Sequence, residues 1–318
     1  MGGYRAMAYL ALDTETTGLG FWDTAFCVSY AGRGRDGGIL SGVLYMDEYD
    51  DSTIGATVRR AELVFHNAKF DVQKLVLAGV MEAPDWTRIH DTECLSHLVN
   101  EQQPKALKRL AKELLGLDTD EQEVLRTARR KLKLTKADGY DALPREVLEP
   151  YARKDAEFTL LLFEYLWPLV QGDADLLRLY REEQELMGVL YDMEQAGLGV
   201  DMAYVNDFTK EIAGEILETD FMIRDLTGDE DFNPNSPVQL KKAFEKRGIE
   251  LESTSKDVLK GMDDELAAAI LKLRHGTKLY SSYMKPLQHE VRDGVLHPNH
   301  KQWGTKGRRF SAGATEDS

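Results

Sequence analysis

The stretch AMAYLALDTETTGL, residues 6–19, decides how the first half of this sequence folds. Its apolar run from Ala6 to Leu12 is much shorter than the ~20 residues a membrane helix needs and leads straight into acidic residues. It reads as a buried β-strand. Asp13 and Glu15 lie two apart at the end of that strand, so their side chains project from the same face. Paired carboxylates beside an apolar core are unfavourable unless something positive neutralises them. The segment contains no Lys or Arg. A divalent cation is the natural partner, and hard oxygen ligands with no nearby Cys or His favour Mg²⁺ or Mn²⁺ over zinc.

Downstream, FCVSYAG and GILSGVLYM are separated by the turn-forming GRGRDGG, as expected of consecutive antiparallel strands. The pattern then changes to alternation: ELVFHN as a buried strand, FDVQKLVLAGV as an amphipathic helix ending at Gly79, and WTRIHDT as another strand. Helical stretches follow in LKRLAKELLGL, EQEVLRTARRKLKL and VLEPYARKDAEFTLLLFEYLWPLV, the last expected to end near Trp167 and Pro168. The polar QGDADLL marks a boundary. The expected class is α/β, a mixed sheet flanked by helices over 1–168, then a linker at 169–175 and a mostly α-helical region over 176–318.

Two further elements carry chemistry. Asp71 follows the strand-like ELVFHNAK at a helix start, where it could cap the helix or serve a metal. In YARKDAEF, Tyr151 and Asp155 stand four apart on a helix and share one face. In order and context, these elements together resemble the DEDD exonuclease superfamily in its tyrosine branch. Asp13 and Glu15 match its Asp-x-Glu motif, Asn67 and Asp71 its Asn-x-x-x-Asp motif, and Tyr151 and Asp155 its Tyr-x-x-x-Asp motif. The sister branch places a His five residues before the last Asp, where this sequence has Pro150. The resemblance covers residues 7–168 and implies a ribonuclease H-like 3′–5′ exonuclease domain. It also implies two divalent cations held by Asp13, Glu15, Asp71 and Asp155, with Tyr151 orienting the attacking water, and Thr14 and Asn67 near the DNA. His66 and His90 read as hydrogen-bonded structural groups, and Asp91 as a supporting or capping residue.

The second half is similar to the opening of the thumb of family A DNA polymerases. The resemblance rests on Gly197 and Asp201, on Asn235, Ser236, Pro237, Gln239 and Leu240 in FNPNSPVQLKKAF, and on the later VLHPNHKQWGTKGRRFS. Gly304, Thr305, Arg309 and Ser311 fit the family's DNA-contacting stretch, whereas Arg308 stands where a Gly is expected. Lys278, Tyr280, Tyr283 and Lys285 mix cations with aromatic rings as a DNA-gripping helix does. A plain helical domain would do the same. No Asp-Tyr-Ser palm motif occurs, so no polymerase activity is expected from this chain alone, and a separate palm-and-fingers chain is a candidate partner.

Across 318 residues the net charge is −15, which argues against whole-surface attraction to nucleic acid but leaves room for a local site. Two basic clusters run against the trend: Lys105, Lys108, Arg109 and Lys112, then Arg126, Arg129, Arg130, Lys131, Lys133 and Lys136. They read either as a solvated helix face or as a phosphate-tracking surface. Cys27 and Cys94 form no metal or disulfide pattern, which points to a reducing cytoplasm, bacterial or phage-infected. The implied activity is release of nucleoside monophosphates from a single-stranded DNA 3′ end, with a primer–template duplex as partner. RNA trimming and a non-catalytic binding module are the alternatives.

Overall fold

A computed structural model describes residues 9–48, 55–135, 139–303 and 309–313. Five strands, β1 (Tyr9–Thr16), β2 (Ala25–Arg33), β3 (Ile39–Tyr45), β4 (Glu62–Phe65) and β5 (Ile89–Asp91), form one mixed sheet in the order β3-β2-β1-β4-β5. The first three are antiparallel, whereas β4 pairs parallel with both β1 and β5. β1 is therefore central, and its apolar run is covered on both faces: Leu10, Ala11 and Leu12 are all buried. This is the α/β sheet expected from the sequence, with a ribonuclease H-like strand order.

The connecting helices are α1 (Gly55–Val58), α2 (Ala68–Leu77), α3 (Thr92–Val99), α4 (Leu107–Leu115), α5 (Glu121–Lys131), α6 (Arg145–Gln171) and α7 (Ala174–Ala196). The inward stripe of α6 runs Leu148, Ala152, Asp155, Thr159, Phe163, Leu166 and Val170, at steps of three or four. Asp155 is the only charged residue in that stripe. Helix α6 passes through Pro168 rather than stopping there. A proline inside a helix forfeits one backbone bond, but Leu166 and Val170 are fully buried on either side of it, and that burial carries the helix to Gln171. Another expectation is corrected at Trp86–Arg88. These residues form a 3₁₀ turn, because the Asp85 side chain accepts from the Thr87 N–H at 3.2 Å, and the strand begins only at Ile89.

The chain forms two compact units, Met1–Ala196 with Pro298–Ser318, and Gly197–His297. The backbone does break at Gly172 and Asp173 between α6 and α7. Yet α7 belongs to the first unit, since Tyr180, Met187 and Tyr191 enter its two main cores. The second unit contains β6 (Leu198–Gly199), α8 (Met202–Thr227), α9 (Pro237–Lys246), α10 (Lys256–Lys260), α11 (Glu265–Leu279), a π-turn over Tyr280–Met284, α12 (Lys285–Glu290) and β7 (Val295–Leu296). Phe232, Leu240, Phe244, Leu266 and Ile270 are among the residues of its core. The quoted motifs here are helix starts. Asp201 accepts from Tyr204 N–H at 3.0 Å to cap α8, and Ser236 accepts from Gln239 N–H at 3.4 Å to cap α9, with Pro237 at the first helical position.

From Pro298 the chain rejoins the first unit, where β8 (Asn299–Lys301) pairs with β9 (Ser311–Gly313). The returning segment is held by polar side chains. Lys69 donates to the His300 carbonyl at 2.7 Å and pairs with Glu194, Lys105 donates to the Trp303 carbonyl, and Gln302 donates to the Glu183 carbonyl at 3.0 Å.

Candidate active site

Three carboxylates meet at the edge of the central strand. Asp13 and Glu15 leave β1 on one face, α6 brings Asp155 against them, and one oxygen from each lies within 4.8 Å of the others. Burial pushes the Asp13 carboxyl up to about 7, and burial followed by the charge of Asp13 pushes Glu15 well above its ordinary range. The three carboxylates offer oxygen donors alone, and that set suits a hard divalent cation.

Asp71 is placed beside this cluster but bound differently. It lies in the first turns of α2 and accepts from both the Thr14 N–H, at 3.0 Å, and the Thr14 hydroxyl, at 2.6 Å. Thr14 stands between Asp13 and Glu15 on β1, so this pair locks α2 to the strand that carries the first two carboxylates. The Thr14 hydroxyl is spent on Asp71. Burial, then the charge of Asp13, also raises the Asp71 carboxyl. The cap of α2 comes from elsewhere: Asp91 accepts from Ala68 N–H at 2.8 Å and from Asn67 N–H at 3.3 Å, and also caps α3 through Glu93 N–H at 2.7 Å. Asn67 is exposed and left-handed at φ 69°, a conformation asparagine tolerates better than most residues.

Tyr151 sits one turn before Asp155 on α6. Burial and the nearby Glu15 charge hold its hydroxyl well above the usual phenol range, so it stays protonated and can donate. His66 is fixed by Thr92 Oγ1 at 2.8 Å and the Lys105 carbonyl at 2.7 Å. His90 is fixed by Tyr180 at 2.9 Å, and burial lowers it to about 4.

The structure adds Lys108, which sequence reasoning placed only within a basic cluster. This residue is buried, pairs with Asp155 and with Glu121 at 2.9 Å, and lies 4.2 Å from the centre of the Tyr151 ring. The positive charge missing near Asp13 in the sequence thus arrives from α4, some ninety residues away. One signal was available: Lys108 precedes Ala111 by three positions, on the inward side of a short helix.

A cleft of about 460 Å³ is lined by Asp13, Tyr151 and Asp155 and by residues of α4 and α5, among them Lys108, Arg109 and Arg126. Of the expected nucleic-acid contacts, Thr14 stands between Asp13 and Glu15 on β1, and Asn67 is exposed at the N-cap of α2. Lys278 and Tyr283 belong to the second unit, where both are exposed. Arg309 is exposed just before β9, and Thr305 lies outside the described residues.

The family model described as 3′-5′ exonuclease matches residues 3–171, more than half of the chain, and that described as DNA polymerase family A matches residues 202–314. The chain belongs to the 3′–5′ exonuclease family. The exonuclease region is 35% identical over 166 residues to the thermostable DNA polymerase I of Thermus aquaticus, covering 48% of this chain and 20% of that protein. DNA polymerase DpoZ of Vibrio phage phiVC8 is 29% identical over 340 aligned residues, covering 94% of this chain and 52% of the relative. The POL domain of Pol1 from M. smegmatis, solved with DNA primer-template and dNTP, has the same fold, with a TM-score of 0.70 at 18% identity over 97% of this chain and 52% of that one. The chain therefore spans between a fifth and about half of the length of these relatives. No described helix is long and apolar enough to cross a membrane.

Proposed function

We propose that this chain is the proofreading portion of a family A DNA polymerase, hydrolysing single-stranded DNA from the 3′ end and releasing nucleoside 5′-monophosphates. One observation carries the reading: Asp13, Glu15 and Asp155 present oxygens within 4.8 Å of one another, and Asp13 and Asp155 line a nucleotide-sized cleft. Asp13, Glu15 and Asp155 would hold divalent cations, Mg²⁺ or Mn²⁺, with Asp71 completing the set from its place beside Thr14. When bound, two such cations would supply Lewis acidity toward the phosphodiester and lower the pKa of water so that hydroxide is available to attack it. The chain's own residues do the rest. Tyr151, protonated, donates a hydrogen bond that orients the attacking water. Thr14 holds Asp71 in register with β1, and α6 fixes Tyr151 and Asp155 on one face. Family membership and the polymerase relatives support DNA over RNA as substrate, acted on in the cytoplasm of a bacterium or phage-infected cell. A primer–template duplex and a palm-bearing chain are its proposed partners. Nucleotide addition is not expected of this chain alone.

The test is release of label from 3′-labelled single-stranded DNA and RNA, with Mg²⁺, with Mn²⁺ or with chelator, beside Asp13→Ala. Wild-type protein should degrade DNA only with metal, and the variant should be inactive. Equal activity in the two proteins, or none in either, would overturn the assignment.

A further inference from the structure

The cleft has a cationic wall that the carboxylate chemistry does not use. Arg109 of α4 and Arg126 of α5 line it together with Asp13 and Asp155. Their position is not accidental to the surface. Helix α5 is anchored to the site by Glu121, which pairs with the buried Lys108 at 2.9 Å and with Lys154 at 3.1 Å, and by Leu125, which enters a core cluster with Leu143 and Leu148. Arg126 follows Leu125 directly, and Arg109 follows Lys108, so each arginine sits one residue beyond an anchored position.

Both guanidiniums are lightly engaged. Arg109 meets Glu113 at 3.4 Å and Arg126 meets Glu123 at 3.7 Å, with the arginine side chains 68% and 64% exposed. Exposed pairs of this kind contribute little and exchange readily for a better anion, and a guanidinium binds phosphate oxygens through paired N–H groups. A polyanionic strand approaching three carboxylates on a protein of net charge −15 needs local cations to enter.

Which phosphate they meet follows from the direction of the reaction. The 3′-terminal nucleotide carries a single phosphate, the one being cleaved, and that phosphate must lie over Asp13, Glu15 and Asp155. Any other phosphate in the cleft lies upstream. Resting on the exonuclease reading above, we infer that Arg109 and Arg126 are positioning residues that clamp the first phosphate 5′ to the scissile one, and that they set how tightly a DNA end is held.

Three substrates test this with the full chain and Mn²⁺ or Mg²⁺: a short single-stranded oligonucleotide, the same oligonucleotide with a neutral methylphosphonate at the first upstream linkage, and the p-nitrophenyl ester of thymidine 5′-monophosphate. The last has a scissile diester and no upstream phosphate. For Arg109→Gln/Arg126→Gln the KM on the oligonucleotide should rise roughly tenfold. Its kcat/KM should fall less steeply with salt, by a slope of about 0.7 per lost phosphate contact, while hydrolysis of the ester stays within about twofold. The methylphosphonate should weaken binding by the wild type and leave the double variant unaffected. The inference is overturned if the variant loses as much on the ester, if both proteins respond equally to the methylphosphonate, or if the sensitive linkage lies elsewhere. A wild type inactive on all three substrates would bring down the exonuclease reading as well. Loss in Asp13→Ala but not in the double variant would bring down only the clamp.

Discussion

The two units of this molecule use their interiors differently. Among described residues, the first unit buries Glu15, Asp71, Asp91, Asp155, Lys69, Lys74 and Lys108, whereas the only buried polar side chains of the second are Thr209 and Thr219. Each of those hydroxyls donates to the carbonyl four residues earlier in its own helix, at 2.6 Å. Burying charge costs several kcal/mol per ion unless it is paired or hydrogen-bonded, so a unit that does it repeatedly is giving up stability for chemistry or for exact placement. The second unit has an ordinary apolar core, and whatever it does must be done by its surface.

That contrast can be broken by substitution. The largest effect should come from Asp155→Asn, which removes one of the clustered carboxylates. Nuclease activity should fall roughly ten-thousandfold, about 5 kcal/mol in barrier height, with an unchanged circular dichroism spectrum. Retained activity would mean that the buried charge is merely structural.

Lys74→Met comes next. Lys74 is completely buried in α2, and its ammonium donates to the carbonyls of Gly20, Phe21 and Asp23 at 2.5, 3.3 and 2.9 Å, holding the loop that follows β1. Its loss should cost about 4 kcal/mol in urea unfolding. A cost near zero would show that the loop is held by other contacts.

His90 should contribute a pH-dependent term. Its folded value is lowered by burial to about 4, so the native protein keeps it neutral while the unfolded chain takes up a proton below about 6.5. Stability present above pH 6.5 is therefore lost as pH falls toward 4, by about 3 kcal/mol in all. His90→Gln should flatten the wild-type decline in melting temperature across that window, and parallel curves would refute the account. The smallest effect is expected in the second unit. Thr209→Val should change stability by less than about 0.5 kcal/mol, because the Val205 carbonyl keeps its place in the helix.

Local pattern made much of this site readable. Asp13 and Glu15 stood out because a carboxylate pair interrupts an apolar strand, and Tyr151 with Asp155 because a spacing of four is a helical face. The Asp71–Thr14 bond and the pairing of Lys108 with Asp155 were not legible, since both arise where separate elements meet, and spacing shows only that Lys108 lies on the inward side of α4. The same limit explains the unit boundary. The apolar residues of α7 announce a buried face, but not that Tyr180, Met187 and Tyr191 bury it against the sheet-bearing unit. At Trp86–Arg88 a single aspartate cap outweighed the strand propensity of Trp86 and Thr87.

The return of the chain at Pro298 makes the second unit an insertion in topological terms. It leaves the first unit after Ala196 and comes back at Pro298. Its own two ends are stitched together by the pairing of Leu198 with Leu296 and of Gly199 with Val295. Gly197 turns with φ 67° so close to His297 that a Cβ there would meet Nδ1 at 3.0 Å. Entry and exit are therefore neighbours, and a short glycine turn joining Ala196 to Pro298 would close the nuclease on itself without stretching either end. Such a deletion needs no new terminus inside the sheet, and the Lys69, Lys105 and Glu183 contacts that seat the returning segment would remain intact.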